Sequence, residues 1–519
     1  MSILIRVLPF WISGILAGWA LPSIVFIPPI WPVSLWAILV LICVYSGSRP
    51  DEAFPKISLG ILLLVFLSSF QMTLIRSACT GLPVGEKIGI SGRILKVWEG
   101  PGYHRFKLLV ISYDEGKKTH NCREPVLLQS GRFDGQAPSY GDYLSTETKV
   151  ETIQKKAKPD DFPERLYWAG EGIRKKGWLR ESETRVLPSR KCFHPLLAAG
   201  KLQELLCNRL DSCTLGQDQS ALIKAILLGR KDYLSTGVKD VFQQTGISHL
   251  LAVSGLHAGL VYMIFSSLFF HLKGRWRRFI VEGLAVTAVW GYSLITGFGP
   301  SVQRAAGMIS LFALSRMFNR RVEPLQVLVI AFFLQTAVNP LAIFRLGFQL
   351  SYLAVAGIFI IYRSWTRLIR IPVKILRRIW DFAGVSIAAQ SLTLPFILVY
   401  FHEFPSYFLL GNLVLVPLGL MIFYFSAGYL TILALGISIP LVEKFLELLI
   451  RLMLSIGEGI ASFPNAVIGF ESFSPLHMLG YYILLSTLFL NKGISRYKRF
   501  CRALSLALLF SVLGIFLSL

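Results

Sequence analysis

Charged residues are scarce in this sequence. They make up 16% of its 519 residues, whereas hydrophobic residues make up 54% and the mean hydropathy is +0.57. A soluble protein of this length does not need so many apolar side chains to fill its core, so a soluble enzyme or a soluble binding protein is excluded. The composition instead predicts a membrane protein.

Other common signals are absent as well. The seven cysteines form no CxxC pair, so the usual sequence sign of a zinc or redox site is missing, and neither their pairing nor their redox state follows from the sequence. The sequence contains no repeat of fixed period and no low-complexity tract. Acidic residues number 30 against 53 Lys and Arg, so the placement of positive charge becomes the main guide to topology.

Apolar stretches close to the roughly 20 residues that cross a bilayer recur along the chain. The stretch at 438–461 also carries charges at helical spacing, so an amphipathic helix on the membrane surface is its alternative. We predict a polytopic α-helical membrane protein with about 11–13 spans, the first an uncleaved anchor. The stretches lie at 7–27, 31–46, 57–75, 247–271, 279–296, 302–318, 324–344, 347–362, 381–401, 408–436, 438–461, 475–490 and 499–519.

Basic residues cluster in four of the loops between these stretches, at 273–278, 316–321, 363–378 and 492–502. If the spans are numbered as above, all four loops fall on one side, and the positive-inside rule makes that side the cytoplasm. The polar segment 77–246 and the C-terminus are then predicted to be extracytoplasmic.

That polar segment contains two kinds of pattern. Residues 77–190 alternate short β-prone runs such as HRFKLLVISY with Gly, Pro, Asp and Asn turns, which predicts an inserted all-β domain, a small antiparallel barrel or sandwich. Residues 191–246 contain amphipathic helical patterns that connect it to the next apolar stretch. The predicted domains are therefore N-terminal transmembrane helices at 1–76, the β domain, the linker helices, and a transmembrane domain at 247–519.

Basic and aromatic residues interleave on two of the β-prone runs. An OB-like barrel uses this combination to follow a nucleic-acid backbone and to stack bases. Scattered surface charge around aromatic core residues explains the same pattern, and the sequence leaves both interpretations open. The residues are Arg93, Lys96, Trp98, Tyr103, Arg105, Phe106 and Lys107.

Polar residues also stand at the start of the stretch 247–271, in HLLAVSGLHAGL. Gly255 and Gly259 have the spacing that lets a neighbouring helix approach closely. Ser254 and His257 are three residues apart and can form a hydrogen bond, which is costly in a membrane unless the pair faces the bundle interior or a wet cavity. The pair therefore lines a polar path or serves as a structural hydrogen bond.

A second polar group begins the stretch 302–318. The pattern PSVQRAAG predicts Ser301 as the N-cap, with Gln303 and Arg304 in the first helical turn, where the helix dipole and the arginine suit an anion such as phosphate. An arginine that snorkels to lipid head groups is the alternative. Further polar residues at predicted helix ends or within spans are Arg345, Gln349, Ser351 and Asn412.

Five motifs in order resemble the ComEC/Rec2 competence family. They are ALIKAILLGRKDYLS, GISHLLAVSGLHAGL, ITGFGPSVQRAAGM, NPLAIFRLGFQLSYLAVAGI, and QSLTLPFILVYF followed by GNLVLVPL. YGDYLSTETKVE followed by KPDDFPERLYWAGEGI is similar to the end of the family's OB-like domain and its linker. The resemblance implies an inner-membrane channel that imports transforming DNA as a single strand.

The resemblance also implies partners: single-stranded DNA, membrane lipid, a DNA receptor, a separate nuclease and a cytoplasmic helicase, with homo-oligomerisation left open. No cofactor is implied. The candidates for its DNA path are Ser254, His257, Gln303, Arg304, Arg345, Gln349 and Asn412.

The chain departs from the family pattern at two points. Many members carry an acidic residue before the GFQLS motif, where this chain has Arg345. Many also end in a metallo-β-lactamase-like domain that needs an HxHxDH cluster, whereas the eight histidines here are isolated and the chain stops after its last apolar stretch. We therefore expect a transport channel without a metal site, not an enzyme, and a nuclease supplied by another protein.

Two alternatives from other classes remain. A small-solute secondary transporter would show inverted internal repeats, which the sequence does not display. An intramembrane serine protease is suggested by Ser254, but such a dyad normally takes its histidine from a different helix, and His257 is three residues on.

Overall fold

The computed structural model describes much of the chain from residue 81 onward. The N-terminal stretches, apart from residues 11–12, and the stretch 499–519 with the basic loop 492–502 lie outside the described residues. Two compact units are present, Met1–Gly200 with Leu314–Gln349, and Lys201–Ala313 with Leu350–Leu519. The described residues are 11–12, 81–100, 103–115, 118–131, 138, 141–153, 168, 171–187, 195–268, 276–320, 322–367, 369, 371–470 and 475–489.

Seven strands of the first unit form one mixed sheet in the order β5-β6-β3-β2-β1-β4-β7. β1, β2 and β3 form an antiparallel meander, and β4 pairs antiparallel with β1. β6 lies parallel to β3, so the prediction of a wholly antiparallel domain is wrong. The strands are β1 (Lys87–Gly100), β2 (Tyr103–Glu115), β3 (Lys118–Ser130), β4 (Tyr143–Lys149), β5 (Glu151–Thr152), β6 (Lys175–Trp178) and β7 (Thr184–Leu187).

This sheet closes on itself. Only Val150 separates β4 from β5, so one nearly continuous strand pairs with β1 through its first part and with β6 through its second. Thr148 joins the two sides, because its Oγ1 accepts from the Trp178 N–H at 3.0 Å and donates to the Trp178 carbonyl at 2.7 Å. The predicted β domain is therefore a barrel.

Every second side chain along the strands is largely apolar and points into the barrel, as the β-prone runs predict. Gly92 leaves room for the backbone of β2, since a Cβ there would stand 2.2 Å from the Leu109 carbonyl oxygen. Phe106 is fully buried, so it belongs to the core and not to a base-stacking surface. The core residues are Leu82, Ile88, Ile90, Ile94, Phe106, Leu108, Val110, Cys122, Val126, Leu128, Leu144, Val150 and Leu179.

Helices make up most of the rest of the described chain. They are α1 (Pro195–Asp211), α2 (Gln217–Leu228), α3 (Thr236–Gln244), α4 (Ser248–Leu251), α5 (Gly255–Leu268), α6 (Arg277–Ile295), α7 (Pro300–Met317), α8 (Pro324–Val338), α9 (Leu346–Gly357), α10 (Lys374–Phe401), α11 (Phe408–Ala434), α12 (Pro440–Ala461) and α13 (Pro475–Phe489). A two-stranded sheet pairs β8 (Glu403–Pro405) with β9 (Val467–Gly469).

Helix α9 continues beyond its α-helical part. A π-helical turn at Ile358–Tyr362 and a last turn at Arg363–Trp365 follow it directly. Four helices in the described chain are long and apolar enough to cross a membrane, namely α6, Leu346–Trp365, α10 and α11, while α5 and α8 are shorter apolar helices. The prediction of a largely helical membrane protein is confirmed, and the total number of spans stays a prediction.

The linker helices differ from their prediction. α2 is not amphipathic, because the nine residues Ser220–Leu228 are all buried in the core of the second unit, against α11 and α12. Lys224 is buried with them, where it pairs with Asp211 and lies 4.3 Å from the centre of the Tyr233 ring. The ion pair and the cation–π contact stabilise the charge of this lysine, so the last nine residues of α2 are buried although one of them is charged.

Candidate nucleic-acid interface

A bulge in β1 decides which side chains share a face of the barrel. The pairing of β1 with β2 steps from Ile94↔Leu108 to Lys96↔Lys107, so Leu95 is an extra residue. After the bulge, Val97 packs on the barrel core. Since opposite residues of paired strands point to one side, the five residues Lys96, Trp98, Tyr103, Arg105 and Lys107 share the outer face. We call them the basic aromatic face.

Cations and rings lie against each other on this face. The Lys96 Nζ is 4.7 Å from the Trp98 ring centre, and the Arg105 Cζ is 4.8 Å from the Tyr103 ring centre. Trp98 meets the buried Trp168 edge to face, with ring centres 5.3 Å apart. Tyr103 is 41% exposed and therefore presents a ring to solvent. Trp98 is partly buried, because it packs against the small apolar cluster that contains Trp168.

Arg93, the remaining sequence candidate in the barrel, contacts a neighbouring turn of the barrel. The Arg93 Nε donates to the Gly141 carbonyl at 3.1 Å, which ties β1 to the turn before β4. Arg93 is therefore held by the fold and is not part of the basic aromatic face.

Lys107 and Arg345 meet at one carboxylate that the sequence reasoning missed. The Arg345 Nη2 lies 2.8 Å from Glu171 Oε2, and the Lys107 Nζ lies 4.0 Å from the same oxygen. Lys107 also donates to the Glu171 carbonyl at 2.5 Å. Burial lowers the pKa of Lys107 below its ordinary value, the nearby Glu171 opposes this, and Arg345 and Lys96 lower it further.

The polar residues of HLLAVSGLHAGL lie at a break between two helices. The prediction of one continuous helix from 247 is wrong, because α4 ends at Leu251 and α5 begins at Gly255. Ser254 caps α5: its Oγ accepts from the Leu256 N–H at 3.2 Å, and its carbonyl accepts from the Ala258 N–H at 3.2 Å.

His257 completes this cap from the third helical position. Its Nδ1 accepts from the Ser254 backbone N–H at 3.1 Å and lies 3.1 Å from the Ser254 Oγ. The arrangement resembles a capping box with histidine in place of glutamate. The ring is 1% exposed and lies 5.0 Å from the Phe423 ring, centre to centre. These contacts support the structural interpretation of the Ser254 and His257 pair.

The two glycines of this motif make no close helix contact in the described chain, and their role in helix packing stays a prediction. No atom of the described chain outside its own neighbourhood lies within 4 Å of a Cβ built at Gly259, and a Cβ at Gly255 would make only an ordinary 3.6 Å contact with Ala305. The close approaches occur elsewhere. A Cβ built at Gly357 would lie 2.2 Å from the Ala388 carbonyl oxygen, and one built at Gly384 would lie 2.2 Å from the Trp365 ring. A Cβ built at Gly411 would lie 2.3 Å from the Thr245 carbonyl oxygen.

The start of α7 also differs in detail. The Gln303 N–H donates to the Gly299 carbonyl at 3.0 Å, so Gly299 is the N-cap, Pro300 is the first helical residue, and the prediction of Ser301 as N-cap is wrong. The Gln303 side chain donates to the Phe298 carbonyl at 2.6 Å. Arg304 is 3% exposed, so it is buried and does not snorkel to a lipid surface.

Two amides among the candidates keep an acceptor without a partner in the described chain. Gln349 donates through Nε2 to the Ile343 carbonyl at 2.9 Å, while its Oε1 is buried and unpaired. The Oδ1 of Asn412, in α11, is also buried and unpaired. In the described residues, no group of three or more His, Cys, Asp or Glu side chains is placed to hold a metal ion.

Comparison with known proteins identifies the family. A family model described as Competence protein matches residues 226–493, more than half of the chain. ComE operon protein 3 of Bacillus subtilis is 29% identical over 204 residues, which are 39% of this chain and 25% of the relative. Recombination protein 2 of Haemophilus influenzae is 24% identical over 241 residues, 44% of this chain and 28% of the relative.

A third relative, competence protein ComA of Neisseria gonorrhoeae, is 29% identical over 103 residues, 18% of this chain and 15% of the relative. The matched part thus spans about a quarter of the first relative's length. No solved structure matches the chain. The match of the family model, which begins within α2 and runs past the end of α13, shows that this chain belongs to the Competence protein family.

Proposed function

We propose that this protein passes single-stranded DNA across the cytoplasmic membrane during natural transformation. The family match and the apolar helices of this chain indicate a membrane protein of the Competence protein family. The observation that carries the proposal is the basic aromatic face, which combines three cations with two aromatic rings on adjacent strands.

The chemistry of this face suits a single strand more than a duplex. An unpaired strand exposes its bases, and each base stacked on an aromatic side chain contributes about 1–3 kcal/mol whatever its identity. The lysines and the arginine attract the phosphates between the bases, and this attraction is independent of sequence. A transforming strand has arbitrary sequence, so recognition through stacking and charge matches the task.

The barrel is proposed to be an OB-like domain outside the cytoplasm. Its support is the connectivity: a three-stranded meander, β4 paired with β1, and β6 parallel to β3 in a closed barrel. OB barrels bind nucleic acid on an outer strand face and on the adjoining loops, and Tyr103 begins β2 just after the first of these turns. The placement outside rests on the four basic loops that the sequence puts on the opposite side.

The helical part is proposed to provide the path through the membrane. Arg304 supports this role, because its guanidinium is buried within the helical unit, where it can attract a phosphate more strongly than at a wet surface. Gln349 and Asn412 each keep a buried amide oxygen, an acceptor that can serve the N–H groups of a base but not a phosphate. Ser254 and His257, the other two candidates at a helix start, form the helix cap described above, so the proposal gives them a structural role and not a contact with the strand.

The proposal is tested by uptake of labelled DNA into the cytoplasm of a strain that lacks this protein and carries variants of it. Arg105→Glu combined with Tyr103→Ser should abolish uptake at normal abundance, because the face loses its stacking ring and reverses one charge. Lys149→Glu is the control, since Lys149 is exposed and lies opposite Lys87 in the strand register, at the far end of β1. Normal uptake by the double variant would refute a role for the basic aromatic face in transport.

A further inference from the structure

Glu171 lies between two cations that come from distant parts of the sequence. Lys107 belongs to β2 of the barrel, and Arg345 stands directly before α9, yet both approach Oε2 of Glu171, at 4.0 Å and 2.8 Å. The side chains of Lys107, Glu171 and Arg345 are 18%, 13% and 18% exposed, so the cluster is shielded but still reachable from solvent.

Positive charge is in excess at this cluster. One carboxylate faces Lys107 and Arg345, and Lys96 is close enough to act on Lys107 as a like charge. The Arg345 Nε is buried and donates to no group in the described chain. Two cations around one carboxylate, with a donor left over, form a site that can hold a further oxygen of an anion.

The cluster also continues the basic aromatic face. Lys107 is a member of that face, and Arg105 precedes it by two residues on the same side of β2. A strand whose phosphates follow Arg105 and Lys107 therefore arrives at Arg345, the residue that leads into α9.

We propose that Glu171 occupies a phosphate-binding site, and that a backbone phosphate of the incoming strand displaces its carboxylate from between Lys107 and Arg345. This inference rests on the proposed function and adds a defined contact to it, the point at which the strand passes from the barrel to the segment before α9. The ligand class is a phosphodiester of single-stranded nucleic acid.

The exchange is chemically balanced. A carboxylate and a phosphodiester each carry one negative charge, and each offers two oxygens to a planar guanidinium. Without DNA, Glu171 keeps two nearby cations from repelling each other. With DNA, the phosphate takes over that role, and the Glu171 carboxylate returns to water. Glu171 thus competes with the strand and lowers its affinity, which favours release over tight retention.

The test measures binding of a fluorescent oligothymidylate to the full-length protein in lipid nanodiscs. Glu171→Gln should lower Kd by about 3- to 10-fold, since a competing charge is removed while Lys107 and Arg345 remain. Glu147→Gln is the matched control, because it makes the same change in net charge at an exposed carboxylate on β4. We expect the control to change Kd by less than about twofold.

The outcomes separate the two proposals. If the wild type binds and Arg105→Ala weakens binding, but Glu171→Gln leaves Kd unchanged or raises it, this inference is overturned and the proposed function stands. If the wild type does not bind, both fail. Should Glu171→Gln not fold, Glu171→Asp replaces it: the shorter side chain holds Arg345 less well, so Kd should fall by a smaller factor, and an unchanged or higher Kd overturns the inference.

Discussion

Replacement of His257 distinguishes a helix cap from a DNA path. His257→Ala removes the acceptor for the Ser254 N–H and the ring that packs on Phe423. Loss of an N-terminal cap costs about 0.5–2 kcal/mol, and removal of a buried ring adds a cavity term of about 2–3 kcal/mol. His257→Gln keeps an acceptor, because glutamine serves at the same position of a capping box.

The expected loss for His257→Ala is therefore about 3–4 kcal/mol, against about 1–2 kcal/mol for His257→Gln. In a unit of this size, 1 kcal/mol shifts the unfolding midpoint by roughly 2–4 °C. We expect His257→Ala to unfold roughly 6–16 °C below the wild type and to be less abundant in the membrane, and His257→Gln to recover more than half of both losses.

The assay pairs thermal unfolding of the purified protein in detergent with DNA uptake divided by membrane abundance. If the cap explains this residue, uptake per molecule stays near the wild-type value for both variants. The reasoning would be refuted by the opposite pattern: an unchanged midpoint and abundance for both variants together with lost uptake would make His257 part of the path.

Four further predictions concern other parts of the chain. Gly384→Ala should lower the free energy of unfolding by about 1–3 kcal/mol, because its Cβ would meet the Trp365 ring at 2.2 Å. Gly259→Ala should be tolerated, so membrane abundance should fall for the first variant and not for the second. Burial lowers the pKa of Lys107, so affinity for oligothymidylate should fall as pH rises toward that lowered pKa, and Lys107→Arg should remove this fall because arginine stays charged. A reporter that works only in the cytoplasm should stay silent when fused at Asp134; activity there would reverse the proposed topology. The purified protein should not degrade single-stranded DNA in a chelator-sensitive manner, and such degradation would contradict a pure transport role.

Sequence reasoning succeeded best where the signal is local. The apolar stretches 279–296 and 408–436 predict α6 and α11 to within two residues at each end. A bilayer requires an apolar run of fixed length, so hydropathy alone sets the ends of such helices. The barrel strands followed from the alternation of apolar and polar residues for the same local reason.

Long-range contacts could not be predicted. Nothing near Arg345 in the sequence indicates Glu171, and the bulge at Leu95 that orients Lys96 and Trp98 has no sequence sign of its own. The break before α5 was missed for a different reason. The capping rule expects glutamate or glutamine three residues after the serine, and here His257 takes that position.

The π-helical turn at Ile358–Tyr362 has a consequence for the side of the helix that meets α10. Such a turn holds one residue more than an α-helical turn, and each residue of a helix turns it by about 100°. Trp365 therefore stacks on Trp380, with ring centres 4.4 Å apart, from an angle that an unbroken α-helix would not give it. Deletion of a single residue from this turn would swing Trp365 away from Gly384, so the number of residues here matters as much as their kind.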